Sequence, residues 1–206
     1  MHRHHKNYSH QGKPLAEAEK VMIMTHGRGD TAEGILELGQ YLNVKDFALL
    51  APQATANTWY PYSFMAPVVN NEPGLSTGLG VLKQIVEDVL AAGVKHENIY
   101  FLGFSQGACL SSEFLARNAN RYGGAFILSG GVIGPEIDRL NYAGDFGGTP
   151  ILIGCSDVDH HIPLQRVKDT TAIFTEMGAV VNERIYPNGP HSVVQDEIDI
   201  VNTILG

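Results

Sequence analysis

Six short apolar runs punctuate the chain: 21–24, 47–50, 99–102, 125–128, 151–153 and 181–186. They are largely continuous rather than alternating, the pattern of strands covered on both faces. Most are separated by stretches whose apolar positions fall every three or four residues. Leu75, Leu79, Leu82, Val86 and Val89 mark one face of a helix, with Lys83, Glu87 and Asp88 elsewhere around it. Val167, Thr171, Phe174 and Met177 mark a second, ended by Gly178, and Val194, Ile198, Val201 and Leu205 a third. Asp30 followed by Glu33 has the spacing of a capping box and predicts a helix start there, using Ile35, Leu38 and Leu42. Strands alternating with helices predict an α/β fold, a mostly parallel central sheet with helices on both faces. In such sheets ligands sit beyond the carboxyl ends of the strands. The residues just after each strand are therefore where chemistry is sought.

Length and charge narrow the picture. The chain has 206 residues, 44% of them hydrophobic, enough for one well-covered core. The expected organisation is a polar N-terminal tail, 1–20, followed by a single domain, 21–206. His2, His4, His5 and His10 crowd that tail and read as solvated polar residues rather than metal ligands. The formal net charge of −8 argues against nucleic-acid binding and against docking on anionic lipid. No run of about 18 apolar residues is present, so integral membrane association is not expected. The first 20 residues hold no apolar core of a secretory signal. Two cysteines, Cys109 and Cys155, are too few for a disulfide framework; they read as buried packing residues and suit a reducing, cytoplasmic setting. A homodimer is admitted, though no sequence feature selects it.

The run 99–102 leads into Gly103-Phe104-Ser105-Gln106-Gly107, and a helical stretch follows. This is a Gly-x-Ser-x-Gly elbow in the strand-before, helix-after context it requires. The glycines leave room on a sharp turn, and the helix N-terminus offers oriented N–H groups to developing negative charge. A serine nucleophile needs a base, and the base an orienting acid. In this sheet type they follow the serine in the order acid, then histidine. His191 lies in the loop after the last strand, in Tyr186-Pro187-Asn188-Gly189-Pro190-His191, and is the candidate base. His160 and His161 adjoin the candidate acid and are badly placed to be oriented by it. His96 reads as a turn residue, and His26 as a residue that holds its loop by a hydrogen bond. After 151–153 two aspartates compete for the acid, Asp157 and Asp159, with Asp138 as an outside candidate. The loser of the pair is expected to cap a turn. The oxyanion needs donors. The backbone N–H of Gln106 is one, and the N–H of Arg28, in His26-Gly27-Arg28-Gly29-Asp30, is the other choice. The Arg28 side chain is expected in a surface ion pair, or reaching toward an anionic substrate.

These pieces together are similar to the carboxylesterase, lysophospholipase and acyl-protein thioesterase family of small α/β-hydrolases. His26-Gly27-Arg28-Gly29, Trp59-Tyr60-Pro61, the elbow, the stretch 159–163 and His191 carry the resemblance, which spans nearly all of the chain after residue 20. It implies Ser105 as nucleophile, His191 as base and an acid followed four residues later by Pro. Ile162-Pro163 fits that pattern from Asp159 rather than Asp157. It implies no metal and no cofactor. The related dienelactone hydrolases use cysteine where this chain has Ser105. One departure is a two-residue lengthening between Gly154 and Asp159.

The expected activity is cleavage of small-molecule carboxylic esters, with thioesters and lysophospholipids as further candidates, through an acyl-enzyme. The long aromatic connection 52–73 is read as a pocket wall. Trp59, Tyr60, Phe64 and Met65 from it, with Val132 and Ile133 after another strand, are expected to line an apolar acyl pocket. The contrasting reading is a non-catalytic small-molecule-binding domain on the same fold, since fold alone does not imply activity. A peptidase is a weaker alternative, because nothing suggests an extended groove.

Overall fold

A computed structural model describes residues 2–206. Its strands are β1 (Tyr8–Gly12), β2 (Lys20–Thr25), β3 (Phe47–Pro52), β4 (Ile99–Phe104), β5 (Gly124–Leu128), β6 (Pro150–Ser156) and β7 (Val180–Tyr186). The principal helices are α1 (Ala32–Leu36), α2 (Gly74–Ala91), α3 (Gln106–Arg117), α4 (Leu164–Glu176) and α5 (Gln195–Leu205). The sheet order is β1-β3-β2-β4-β5-β6-β7. Every pairing is parallel except that of β1, which runs antiparallel to β3 with Tyr8 opposite Pro52 and Gly12 opposite Ala48.

The continuous apolar runs are explained by two cores, one on each face. Val21, Ile23, Leu50, Phe101, Ile127 and Ile153 point to the face covered by α2, α3 and α4. Their strand neighbours Met22, Met24, Leu49, Leu102, Phe126 and Leu152 point to the other, covered by α1 and α5. Side chains alternate along a strand, so a strand covered on both faces must be apolar at every position. Helix α2 buries Leu75, Leu82, Val86 and Val89 as its period predicts, and adds Val81 and Ile85. Leu79 is only partly buried. Helix α5 buries Ile198, Val201 and Leu205. No helix among the described residues is long and apolar enough to cross a membrane.

Two expectations are corrected here. The polar tail is not a tail: residues 8–12 form edge strand β1, and His4 is buried. An edge strand is held by main-chain hydrogen bonds on one side only. Ser9, His10 and Gln11 can therefore stay polar, and hydrophobic patterning does not register them. The α1 cap is Thr31, whose Oγ1 accepts from the Gly34 N–H at 3.0 Å, not Asp30. Glu33 accepts instead from the Ser9 hydroxyl at 2.6 Å and ties α1 to the edge strand.

Candidate active site

The carboxyl ends of β2, β4, β6 and β7 converge on one cavity of about 610 Å³. Ser105 sits between β4 and α3 with φ 53° and ψ −119°, a left-handed conformation that a non-glycine residue holds only when its surroundings enforce it. Close packing enforces it here. A Cβ on Gly107 would lie 2.1 Å from the Thr25 carbonyl oxygen, and one on Gly103 would lie 2.7 Å from the Gly107 carbonyl oxygen. The Ser105 N–H donates to the Leu128 carbonyl at 2.9 Å, which fixes the turn against β5.

The Ser105 hydroxyl donates to Nε2 of His191 at 2.8 Å, and the His191 Nδ1–H donates to Oδ2 of Asp159 at 2.6 Å. The imidazole packs against the rings of Phe104 and His161, with centroids 5.2 Å and 4.9 Å away. The Asp159 side chain is fully buried. Its Oδ1 accepts from the His161 and Ile162 N–H groups at 2.8 and 3.0 Å, and the Cys155 thiol approaches Oδ2 at 3.7 Å. Burial pushes the carboxyl up. The bonds from His191 and the two amides outweigh it and hold the group below its usual range, ionised and oriented. Asp157 makes a different contact: its Oδ1 accepts from the Asn188 N–H at 2.7 Å and joins its own loop to the loop that carries His191. Asp138 caps a surface turn through the Leu140 N–H at 3.1 Å. Among the described residues, the N–H groups of Arg28 and Gln106 donate to no protein acceptor. Both residues line the cavity beside Ser105.

The rest of the site is a frame for the aromatic loop. Arg28 is in neither the surface ion pair nor the open position expected. Its guanidinium donates to Thr58 Oγ1 at 2.8 Å, to the Pro61 carbonyl at 3.1 Å and to the Tyr62 carbonyl at 2.7 Å. His26 is buried, accepts from the Ala54 N–H at Nε2 and donates from Nδ1 to the Gly27 carbonyl. Burial lowers its proton affinity, so it serves as a neutral loop anchor.

The acyl pocket differs from the one expected. Tyr60 and Phe64 line the cavity, whereas Trp59, Met65, Val132 and Ile133 do not. Trp59, Val132 and Ile133 are buried in the hydrophobic core, and Met65 packs against its edge. A residue after a strand end can turn either into the cleft or under it, and periodicity does not say which. The cavity is completed by Phe104, Ile162 and Cys109. Phe104 and Ile162 were identifiable only as neighbours of the serine and the acid. Both thiols are free and buried, and burial first of all pushes each up to about 12, which disfavours the thiolate.

This fold and this strand-end site define an α/β-hydrolase. Residues 12–206 match the family model described as phospholipase/carboxylesterase. The chain belongs to that family of carboxylic ester hydrolases. It is 28% identical to acyl-protein thioesterase 1 of Saccharomyces cerevisiae, over 90% of this chain and 91% of that protein. The crystal structure of a phospholipase/carboxylesterase from Dyadobacter fermentans superposes with a TM-score of 0.98 at 45% identity, covering 100% and 99% of the two chains. SOBER1 of Arabidopsis thaliana shares the fold, with a TM-score of 0.71 at 21% identity over 90% and 97%.

Proposed function

We propose that the chain hydrolyses carboxylic esters and acyl thioesters through an acyl-enzyme on Ser105. The observation that carries this reading is the unbroken hydrogen-bonded series from Ser105 through His191 to Asp159 at the wall of the cavity. His191 Nε2 takes the Ser105 proton as Oγ attacks the acyl carbon. Asp159 accepts the Nδ1–H, holds the tautomer with a free Nε2 and stabilises the imidazolium that forms. The oxyanion is received by the backbone N–H groups of Gln106 and Arg28, both free to donate. The tetrahedral adduct collapses, and the alkoxide or thiolate leaves with the proton from His191. Water then repeats the sequence: it loses a proton to Nε2, attacks the acyl carbon and releases the acid, and Ser105 recovers its proton.

The cavity supports this substrate class. Tyr60, Phe64, Phe104 and Ile162 offer an apolar wall to an acyl chain. The family description and the thioesterase relative support ester, thioester and lysophospholipid arms in an assay panel. A non-catalytic binding domain has no use for a strained serine bonded to an oriented imidazole, so that alternative is set aside.

The test is covalent. A fluorophosphonate should add once, on the peptide holding Ser105, and Ser105→Ala should lose both the label and about 10³-fold or more of turnover. A variant that labels or turns over like the parent sinks the reading.

A further inference from the structure

The segment before β1 is bound to the back of the site. The His2 Nε2–H donates to the Thr58 carbonyl at 2.6 Å. The His4 Nε2–H donates to the Trp59 carbonyl at 2.7 Å, while its Nδ1 accepts from the Thr55 N–H at 3.1 Å. The His4 main-chain N–H reaches Thr77 on α2 at 3.1 Å. His4 is only 5% exposed. The rings form a column: His2 and His4 at 5.0 Å, His4 and Trp59 at 5.2 Å, Trp59 and His26 at 5.2 Å.

From its other side the same tripeptide, 58–60, is bound to both elements that carry the free N–H groups. The Gln106 Oε1 accepts from the Trp59 N–H at 2.8 Å, and its Nε2 donates to the Tyr60 carbonyl at 2.8 Å. The Trp59 Nε1–H donates to the His26 carbonyl at 2.9 Å, two residues before Arg28. We propose that His4, assisted by His2, is a positioning residue: the N-terminal segment straps 58–60 against Gln106 and His26 and so sets the spacing of the two backbone donors at Ser105. The strap lies before residue 12, where the match to the family model begins.

The strap also has a protonation requirement. Nδ1 of His4 must be bare to accept the Thr55 N–H, so a doubly protonated imidazole cannot make both bonds. Burial, chiefly, lowers the proton affinity of docked His4. The bond to the Trp59 carbonyl opposes this, and the facing imidazoles of His2, His26 and His5 add to it. Because the docked value lies below the ordinary 6.5, docking is fully favoured above that pH and weakens as pH falls below it.

This inference rests on the reading of Ser105 above, and the test separates the two. His4→Ala, His4→Gln and His2→Ala are assayed on an aryl ester, with rates expressed per serine titrated by a fluorophosphonate. The expected result for His4→Ala is a kcat lower by about ten- to hundredfold per titrated site. A merely structural defect lowers the titre and leaves the rate per site unchanged. His4→Gln keeps a donor for the Trp59 carbonyl and takes up no proton. It should recover most of the rate near about pH 7.5 and lose less of it than the parent toward about pH 5.5. A parental rate per site in His4→Ala overturns the proposal, as does an acid limb in His4→Gln identical to the parent's. Should His4→Ala fail to fold, a parental rate per site in His2→Ala overturns it instead. Ser105→Ala, run alongside, judges the reading of the serine separately: turnover retained there removes that reading whatever the strap variants do.

Discussion

Replacing Asp159 by Asn tests the reaction at its most geometric joint. In the parent, Oδ1 accepts two backbone N–H groups, from His161 and Ile162, and Oδ2 accepts the Nδ1–H of His191. An asparagine has one acceptor oxygen, and the two amides claim it. Its NH₂ group then faces Nδ1 of His191, which can make a hydrogen bond only by giving up its proton. The imidazole proton moves to Nε2, and Nε2 meets the Ser105 hydroxyl with a hydrogen instead of a lone pair. The volume is unchanged and the loop bonds survive, so the loss falls on chemistry. A wrong-tautomer base at a site of this kind costs about 10⁴ in kcat, or about 5.5 kcal/mol of barrier. Asp157→Asn is the control. Its oxygen still accepts the Asn188 N–H, and less than about tenfold should be lost. Both variants are assayed on an aryl ester with active-site titration, and their thermal unfolding is compared with the parent's. A working Asp159→Asn beside a dead Asp157→Asn would refute the assignment of the acid. Two half-active variants would show that either carboxylate reaches the imidazole.

Phe64→Ala should change the ranking of short and long acyl esters by about 1–3 kcal/mol of differential barrier. Val132→Ala lies outside the cavity, so it should cost stability on the order of 2 kcal/mol and leave the ranking unchanged. A uniform loss in Phe64→Ala across chain lengths would show that the loop only supports the fold. Glu197, buried beneath β6 at the start of α5, accepts from the Val194 N–H at 3.0 Å. Burial raises its carboxyl from 4.5 to about 7. The folded state therefore binds the extra proton, and the stability Glu197 confers is fully present below about 4.5 and is lost as pH rises through about 7. Glu197→Gln should flatten that dependence, gaining up to about 3 kcal/mol on the parent between pH 5 and 8 in urea titrations. An unchanged pH dependence in the variant would exclude Glu197 as its source.

The local sequence carried the fold's central strands and the serine elbow. Continuous apolar runs arise only where both faces are covered, and the glycines around Ser105 are demanded by carbonyl oxygens that an added Cβ would meet at 2.1 and 2.7 Å. It also carried His191 and the competing pair Asp157 and Asp159, because chain order and strand-end position restrict where an acid and a base can stand; only the family resemblance, through Ile162-Pro163, favoured Asp159. What it did not carry depends on which side of a turn a residue falls. Trp59, Met65, Val132 and Ile133 have the composition of a pocket and are packed into or against the core instead, while Arg28 spends its guanidinium on loop carbonyls. The N-terminal strand and the His2–His4 strap were invisible for a related reason. They are held by hydrogen bonds to backbone groups roughly 35 to 55 residues away, and such bonds impose no hydrophobic period on the residues that make them. Periodicity records which face of an element is dry. Whether a polar side chain meets water or a distant carbonyl is decided only when the chain closes on itself.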